Sequence, residues 1–249
     1  MTTNEAPQPS VAITGAGSGL GRELALKLAD KGYRVFGTAL NPAEVDDLAT
    51  ASGGRVALSV ADITDETAVA DWVEKVTNQL GARGLDVLIS NAGVLAPNGR
   101  IHNLATADWE RSYRVNVLGP VNGIRAAVPV MRAQRSGSII LTASVAGMTA
   151  WSHSSPYCVT KAGVIQLAKV AAVEYARDGI RVNCVCPGTF LSGMHTALPA
   201  EAVDAIAAKH PLGLGTAGDL VGAYSYLASD ASRWTTGSAI VVDGGYAAP

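Results

Sequence analysis

Tyr157 and Lys161 are the pair in this chain best suited to moving a proton. They close the segment from Ser144 to Lys161, and a separation of four puts both side chains on one helix face, a turn apart. A phenol ordinarily titrates near pH ~10 and is a poor acid or base at neutrality. An ammonium group beside it favours the phenolate and draws its pKa toward the working range, which suits it to act at a substrate oxygen. Ser155 followed by Pro156 reads as an N-cap with proline at the first helical position, so the helix is expected to open at Pro156. In a chain with seven tyrosines a Tyr-x-x-x-Lys pair also arises by chance, so its meaning depends on its surroundings.

The second feature with chemical content is the turn Thr14-Gly15-Ala16-Gly17-Ser18-Gly19-Leu20-Gly21. It follows a short apolar strand and opens a helix, the context in which glycines cradle a phosphate. Gly15 permits a tight turn, Gly19 lets a pyrophosphate approach the backbone, and Gly21 allows close helix–strand packing. The helix N-terminus then offers N–H groups and positive dipole to the anion. A plain tight turn is the alternative, and the flanking strand and helix argue against it.

Both features need a scaffold that brings a glycine turn and a distant helix to one edge. Strand patterns at 10–14, 34–38, 55–59, 86–90, 138–142, 180–185 and 239–242 alternate with helical ones. The helices are expected from the glycine turn to Lys31, then over 42–51, 65–80, 107–132 and 156–178. This alternation predicts an α/β fold, a Rossmann-type doubly wound parallel sheet of about seven strands with helices on both faces. No linker, repeat or low-complexity tract divides residues 1–249, so one domain is expected, with a short amphipathic helix in 189–214 as a substrate lid. Apolar residues make up 48% and aromatics 5%, which suits Ala/Val/Leu/Ile helices packed on such a sheet.

A formal charge of −2 gives no electrostatic case for nucleic acid or anionic lipid. The polar start MTTNEAPQPS carries no secretory signature, and no run is long enough for a bilayer. Cys158, Cys184 and Cys186 are too few for a disulfide framework and fit a reducing, cytoplasmic compartment. Cys184 and Cys186 point the same way along one strand and read as small buried hydrophobes, with no metal site expected.

With these motifs in view, the chain resembles the classical short-chain dehydrogenase/reductase family over nearly its whole length. The landmarks are TGAGSGLG at 14–21, Asp62-Ile63, Asn91-Ala92-Gly93, Asn116, Ser144 thirteen residues before Tyr157, YCVTK at 157–161, Pro187-Gly188 and VVDGG at 241–245. The glycine spacing separates it from longer epimerase-type relatives, and YCVTK from enoyl reductases, whose Tyr and Lys lie farther apart. The resemblance implies hydride transfer between a nicotinamide cofactor and a ketone or secondary alcohol. Tyr157 would be the general acid/base, Lys161 would bind the nicotinamide ribose and lower the Tyr157 pKa, and Ser144 would hold the substrate oxygen. Asn116 would complete a proton relay through its backbone carbonyl. Pro120, four residues on, has no N–H for that carbonyl, which predicts a kink in the 107–132 helix.

The cofactor would be bound by Gly15, Ser18, Gly19, Leu20, Gly21, Ala39, Asp62, Ile63, Asn91, Ala92, Gly93, Tyr157, Lys161, Pro187, Gly188, Phe190 and Ser192. NAD-preferring members carry an Asp at the end of the second strand, and NADP-preferring ones a nearby Arg or Lys. This chain has Ala39 and Leu40 there and Ser18 in the glycine turn, so neither signature is present and both NAD and NADP stay open. A dianionic phosphate without a cation is the worse mismatch, which leans toward NAD; Arg22 and Arg55 are the cations that could reverse it. Glu44, Asp46 and Asp47 read as a solvated helix face. The substrate pocket is expected from Leu95, Val145, Trp151, His153, Met194 and His195, mostly apolar, which suggests a medium-sized ketone or alcohol with few charges. A homotetramer follows from the family resemblance alone. A non-catalytic dinucleotide sensor and a β-ketoacyl-type reductase are the alternatives; the first conflicts with the retention of Asn116, Ser144, Tyr157 and Lys161, and the second asks for a basic docking patch, with Arg100, Arg132 and Arg135 as candidates.

Overall fold

Strands buried on both faces need unbroken apolar runs, and the first and fourth strands, β1 (Ser10–Ile13) and β4 (Val87–Ser90), are buried at every position. The computed structural model describes residues 8–191 and 200–248. In chain order it runs β1, α1 (Gly19–Asp30), β2 (Arg34–Ala39), α2 (Pro42–Ala51), β3 (Val56–Val60), α3 (Glu66–Leu80) and β4. It continues with α4 (Thr106–Tyr113), α5 (Gly119–Gln134), β5 (Gly137–Thr142), α6 (Ser155–Tyr175), β6 (Ile180–Pro187) and β7 (Phe190–Leu191). The last elements are α7 (Ala200–Ala207), β8 (Gly215–Thr216), α8 (Ala217–Ala228) and β9 (Ala239–Val242).

Seven strands form one sheet in the order β3-β2-β1-β4-β5-β6-β9, and every neighbouring pair is parallel. The chain therefore walks outward from β1 to β3 and then returns to continue on the other side from β4. That reversal opens a crevice beyond the C-terminal ends of β1 and β4, where ligands bind in open α/β sheets. One face packs Trp72, Val76, Met131, Val164 and Ala168 from α3, α5 and α6 on the sheet. The other packs Leu24, Leu28, Leu48, Tyr224 and Leu227 from α1, α2 and α8. The Rossmann-type architecture expected from the sequence is the one observed.

Local differences have local causes. Arg55 stays out of β3 because its backbone N–H closes the preceding turn on the Ser52 carbonyl at 3.3 Å. Asp86 stays out of β4 because its backbone N–H donates to the Ser10 hydroxyl at 2.9 Å instead of to a neighbouring strand. The helix of Tyr157 opens at Ser155, one residue early: Ser154 is the cap position, and its hydroxyl turns to Asn98 instead of capping. The span expected as one helix over 107–132 is α4 and α5 joined by a π-helical turn, Arg114–Leu118, with Asn116 at its centre. Pro120 removes the donor that an α-helix would place on the Asn116 carbonyl, and a π turn is the accommodation. Helix α8 was not anticipated, although Asp219 accepts from the Thr216 N–H at 2.7 Å and its hydroxyl at 2.8 Å, an ordinary helix-start signal.

Candidate active site

Lys161 sits on the second turn of α6 and is 4% exposed. Its Nζ donates to the Thr142 carbonyl at the end of β5, 2.7 Å away, and lies 5.7 Å from the centre of the Tyr157 ring. Burial holds the Lys161 ammonium down from its ordinary 10.5 to about 8. Burial also pushes the Tyr157 phenol above its ordinary value, and hydrogen bonding with the Ser144 hydroxyl pulls it partly back. In this arrangement the expected lowering of Tyr157 by Lys161 is not what governs the phenol. The ammonium is committed to Thr142 and its own charge is weakened by desolvation.

Ser144 reaches this corner because β5 ends there and a short 3-10 turn, Val145–Gly147, follows; its Oγ accepts from the Ala146 N–H at 3.1 Å. Asn116 is fully buried and completely bonded. Its Oδ1 accepts from the Val94 N–H at 2.8 Å, and its Nδ2 donates to the Val94 carbonyl at 2.9 Å and Thr160 Oγ1 at 3.1 Å. Gly93 joins the cluster by close approach: a Cβ there would lie 3.2 Å from Asn116 Oδ1 and 3.3 Å from Lys161 Nζ. Asn116, Ser144, Tyr157 and Lys161 thus converge where β4, β5 and α6 meet.

The crevice beside them fits a dinucleotide. Gly15 (φ +65°) would drive a Cβ to 2.9 Å from Ala92 Cα, and a Cβ on Gly21 would collide with the Gly15 carbonyl. Gly19 (φ +52°) faces open space, so a ligand can reach its backbone. Ser18, the cap residue of α1, makes no side-chain cap bond, and the first turn carries no acidic residue, leaving its N–H groups for an anion. Asn91 Nδ2 donates to the Thr14 and Gly15 carbonyls at 3.2 and 3.3 Å, tying β4 to the glycine turn. Leu20 is buried beneath the turn, and Ala39 ends β2 with only a methyl group to offer.

Other expected residues fall variously. Asp62 is exposed and accepts from the Thr64 N–H at 2.8 Å; Ile63 is buried against Gly119, its carbonyl accepting from Asn122 at 3.0 Å. Pro187 ends β6, Gly188 abuts Asp243, and Phe190 packs partly into the α1/α8 core. Leu95 is exposed on the loop after β4. Val145 starts the 3-10 turn after β5 and is fully buried. His153 is exposed at a φ of +67°, its ring bonded to Ser152 at 2.8 Å while its carbonyl accepts from the Gly99 N–H. Ser192, Met194 and His195 lie outside the described residues.

Trp151 packs beside Tyr157, with partners the sequence did not reveal. Its ring stacks on Tyr157 at 6.2 Å and meets Tyr246 edge-on at 6.0 Å. Tyr246 in turn lies 4.8 Å from the ring of His210. His210 is buried, with Nε2 accepting from the Thr189 N–H at 3.0 Å and Nδ1 facing the Ile206 carbonyl at 2.9 Å, which fixes its tautomer. Thr142 was also missed: besides holding Lys161 through its carbonyl, its hydroxyl bonds Tyr224 at 2.8 Å. The acidic patch on α2 is not uniformly solvated either, because Asp47 pairs with Arg22 at 2.8 Å and Glu44 turns toward the glycine turn.

A doubly wound sheet with a phosphate-ready turn and a Tyr/Lys/Ser cluster at its crevice defines a Rossmann-type dinucleotide enzyme. A family model described as enoyl-(acyl carrier protein) reductase matches residues 15–247. The chain is 37% identical over 241 residues to cis-4-hydroxycyclohexanecarboxylate dehydrogenase of Sinomonas cyclohexanicum, with 95% of each chain covered. It is 36% identical over 242 residues to 3-oxoacyl-(acyl-carrier-protein) reductase FabG of Staphylococcus aureus, covering 95% of this chain and 97% of that one. Levodione reductase superposes with a TM-score of 0.89 at 28% identity, over 96% of this chain and 98% of that one. The structure of ElxO with NADP bound superposes with a TM-score of 0.91 at 29% identity, over 98% of this chain and all (100%) of that one. The chain belongs to the short-chain dehydrogenase/reductase family. It is a dehydrogenase/reductase of alcohol and ketone groups.

Proposed function

We propose that this enzyme interconverts a medium-sized, mostly apolar cyclic ketone and its secondary alcohol, with NAD preferred over NADP. The observation carrying the substrate reading is Trp151, stacked on the Tyr157 ring and met edge-on by Tyr246. Flat aromatic faces favour a compact ring over a flexible chain, which loses more rotational freedom on binding. Two similar proteins are named for a hydroxycyclohexanecarboxylate and for levodione, which supports a ring in the substrate, though the first also carries a carboxylate.

When bound, the nicotinamide supplies or accepts the hydride. The chain's own residues do the rest. The α1 N-terminus and the glycine turn would hold the pyrophosphate, and Asn91, Gly93 and Gly188 would shape the nicotinamide end. Ser144 would orient the substrate oxygen and Tyr157 would exchange a proton with it, while Lys161 would bind the ribose and feed protons to Tyr157. The raised phenol pKa keeps Tyr157 protonated at neutral pH, the form needed to protonate a carbonyl oxygen in reduction.

NAD is favoured because Arg22 and Arg55 are engaged with Asp47 and Asp30, leaving neither free for a 2′-phosphate. Residues 1–249 would act as one catalytic domain in the cytoplasm. The segment 189–214 would be a lid, tethered by the Thr189–His210 bond. A homotetramer is supported by apolar α5 and α6 surfaces, where Val121, Ile124, Leu167 and Val170 line a groove and Val173 is exposed. Light scattering at micromolar concentration is expected to give four times the chain mass, and a monomer would overturn this.

Identity to FabG supports a second reading, reduction of an acyl-carrier-protein-linked β-keto group. Of its three candidate docking cations only Arg100 is exposed and outside the ion pairs among the described residues. Arg132 and Arg135 both engage Asp178, and they lie at the end of α5 leading into β5, opposite the crevice. A panel of cyclic ketones, linear ketones and acyl-carrier-protein β-keto thioesters separates the readings. Cyclic ketones are expected to be turned over best, and Trp151→Ala to lower their kcat/KM by about 10- to 100-fold, the loss expected for one large apolar contact. A higher kcat/KM on the thioester, or an unaffected Trp151→Ala enzyme, would sink the cyclic-ketone reading.

A further inference from the structure

We infer that Glu44, on the first turn of α2, reads the adenosine ribose of the cofactor and sets the preference for NAD over NADP. This rests on the dinucleotide reading of the crevice, and it names a residue outside the strand end where a diol-binding carboxylate would be sought.

The end of β2 has nothing to offer a ribose. Ala39 presents a buried methyl group, and the side chain after it, Leu40, is an exposed aliphatic. The space beside Ala39 is occupied from the next element. A Cβ built on Gly17 would lie 2.5 Å from Glu44 Oε2, 2.7 Å from Glu44 Cβ and 2.9 Å from Ala39 Cβ. The Glu44 carboxylate therefore stands over the seam between the glycine turn and β2, which is the adenosine side of a dinucleotide whose pyrophosphate sits on α1. A side chain at Gly17 would collide with that carboxylate and with the β-carbons of Glu44 and Ala39.

The local backbone fixes this placement. Asn41 caps α2 by accepting from the Ala43 N–H at 2.9 Å, Pro42 starts the helix, and the Glu44 N–H donates to the Asn41 carbonyl at 3.1 Å. Glu44 is half-buried, and among the described residues its carboxylate takes part in none of the ion pairs or side-chain hydrogen bonds. Arg22, a cation on the neighbouring helix, is taken by Asp47. With no cation or side-chain donor among the described residues on it, the Glu44 carboxylate is left to solvent and can take donors from a ligand. A ribose 2′,3′-diol supplies two hydroxyl donors to it, whereas a 2′-phosphate replaces one donor with a dianion and repels it.

Binding to the cofactor-free protein tests this without catalysis. NAD⁺ and NADP⁺ are titrated by calorimetry against the wild-type chain, Glu44→Gln and, as a charge control on the exposed side of the same helix, Asp46→Asn. The wild type is expected to bind NAD⁺ more tightly. Glu44→Gln is expected to lower the NAD⁺/NADP⁺ affinity ratio by about 10- to 100-fold, the range for a hydrogen bond to a charged group. Asp46→Asn should leave the ratio unchanged, and both variants should melt within a few degrees of the wild type. An unchanged ratio in Glu44→Gln with both dinucleotides still bound would overturn the role of Glu44 alone. An equal shift in Asp46→Asn would reduce it to a general field effect and overturn it too. Failure of the wild type to bind either dinucleotide would remove the cofactor reading itself, and Glu44 with it.

Discussion

Replacing Tyr157 with phenylalanine is expected to lower kcat/KM for ketone reduction by about 10²- to 10⁴-fold, the usual contribution of a positioned general acid. The substitution removes one oxygen and keeps the ring, so the stack on Trp151 and the contact with Lys161 persist. Affinity for the dinucleotide in a calorimetric titration should therefore stay near wild type while turnover collapses. The pH dependence adds a second readout. Burial raises the Tyr157 phenol above its ordinary range, so the protonated form needed for reduction is fully present at neutral pH. Oxidation needs the phenolate, so its rate in the wild type should climb as pH rises until the phenol titrates. A phenylalanine variant that reduces ketones within tenfold of the wild type would remove Tyr157 from the chemistry.

Lys161→Met is expected to cost activity and to raise stability. In the cofactor-free protein the Lys161 ammonium is held at about 8 against an ordinary 10.5, with burial as the main cause. The unfolded chain keeps that proton up to about 10.5, so between about pH 8 and pH 10.5 it binds more protons than the folded one, and stability rises with pH across that window. Below about 8 the full penalty is present. It amounts to roughly 3 kcal/mol. Methionine removes the charge but leaves the Thr142 carbonyl without that donor, which costs about 1 kcal/mol, so the variant should gain about 2 kcal/mol and melt about 4–8 °C higher at pH 7 for a chain of this length. That advantage should shrink as the comparison moves to pH 10. Catalysis should fall at least about a hundredfold, since the proton supply to Tyr157 and a cofactor contact are lost together. Thermal melts of the two proteins at pH 7 and pH 10 check this; a variant less stable at pH 7, or a difference independent of pH, would contradict it. Such a trade of stability for function is what a charged group held in a core implies.

Much of this molecule is set by short-range pattern. The alternation of apolar strands and amphipathic helices fixes the sheet, because each parallel strand buried on both faces needs a helix to carry the chain back across it. The glycine turn and the four-residue spacing of Tyr157 and Lys161 are equally local, since one is a matter of φ and close approach and the other of helix geometry. Even the break at Asn116 is written in the chain, because Pro120 lacks the N–H that a regular helix requires.

What the sequence could not supply is which distant groups finish the site. Lys161 donates to Thr142, Trp151 meets Tyr246, and Tyr246 meets His210, pairs that have no fixed spacing and come together only because β5, β6 and the C-terminal segment end at the same edge. The burial of Val145 is decided in the same way, by the 3-10 turn that follows β5 and not by its place next to Ser144 in the chain. Glu44 looks like any solvated carboxylate on a polar helix, until the packing of α2 against β2 and the glycine turn brings it over Gly17. The sequence by itself determined the family, the sheet and the pairing of Tyr157 with Lys161 on one helix face, because backbone periodicity and local stereochemistry encode them. The aromatic contacts of Trp151 and the placement of Glu44 over Gly17 were decided by tertiary packing, because they are contacts between elements far apart in the chain.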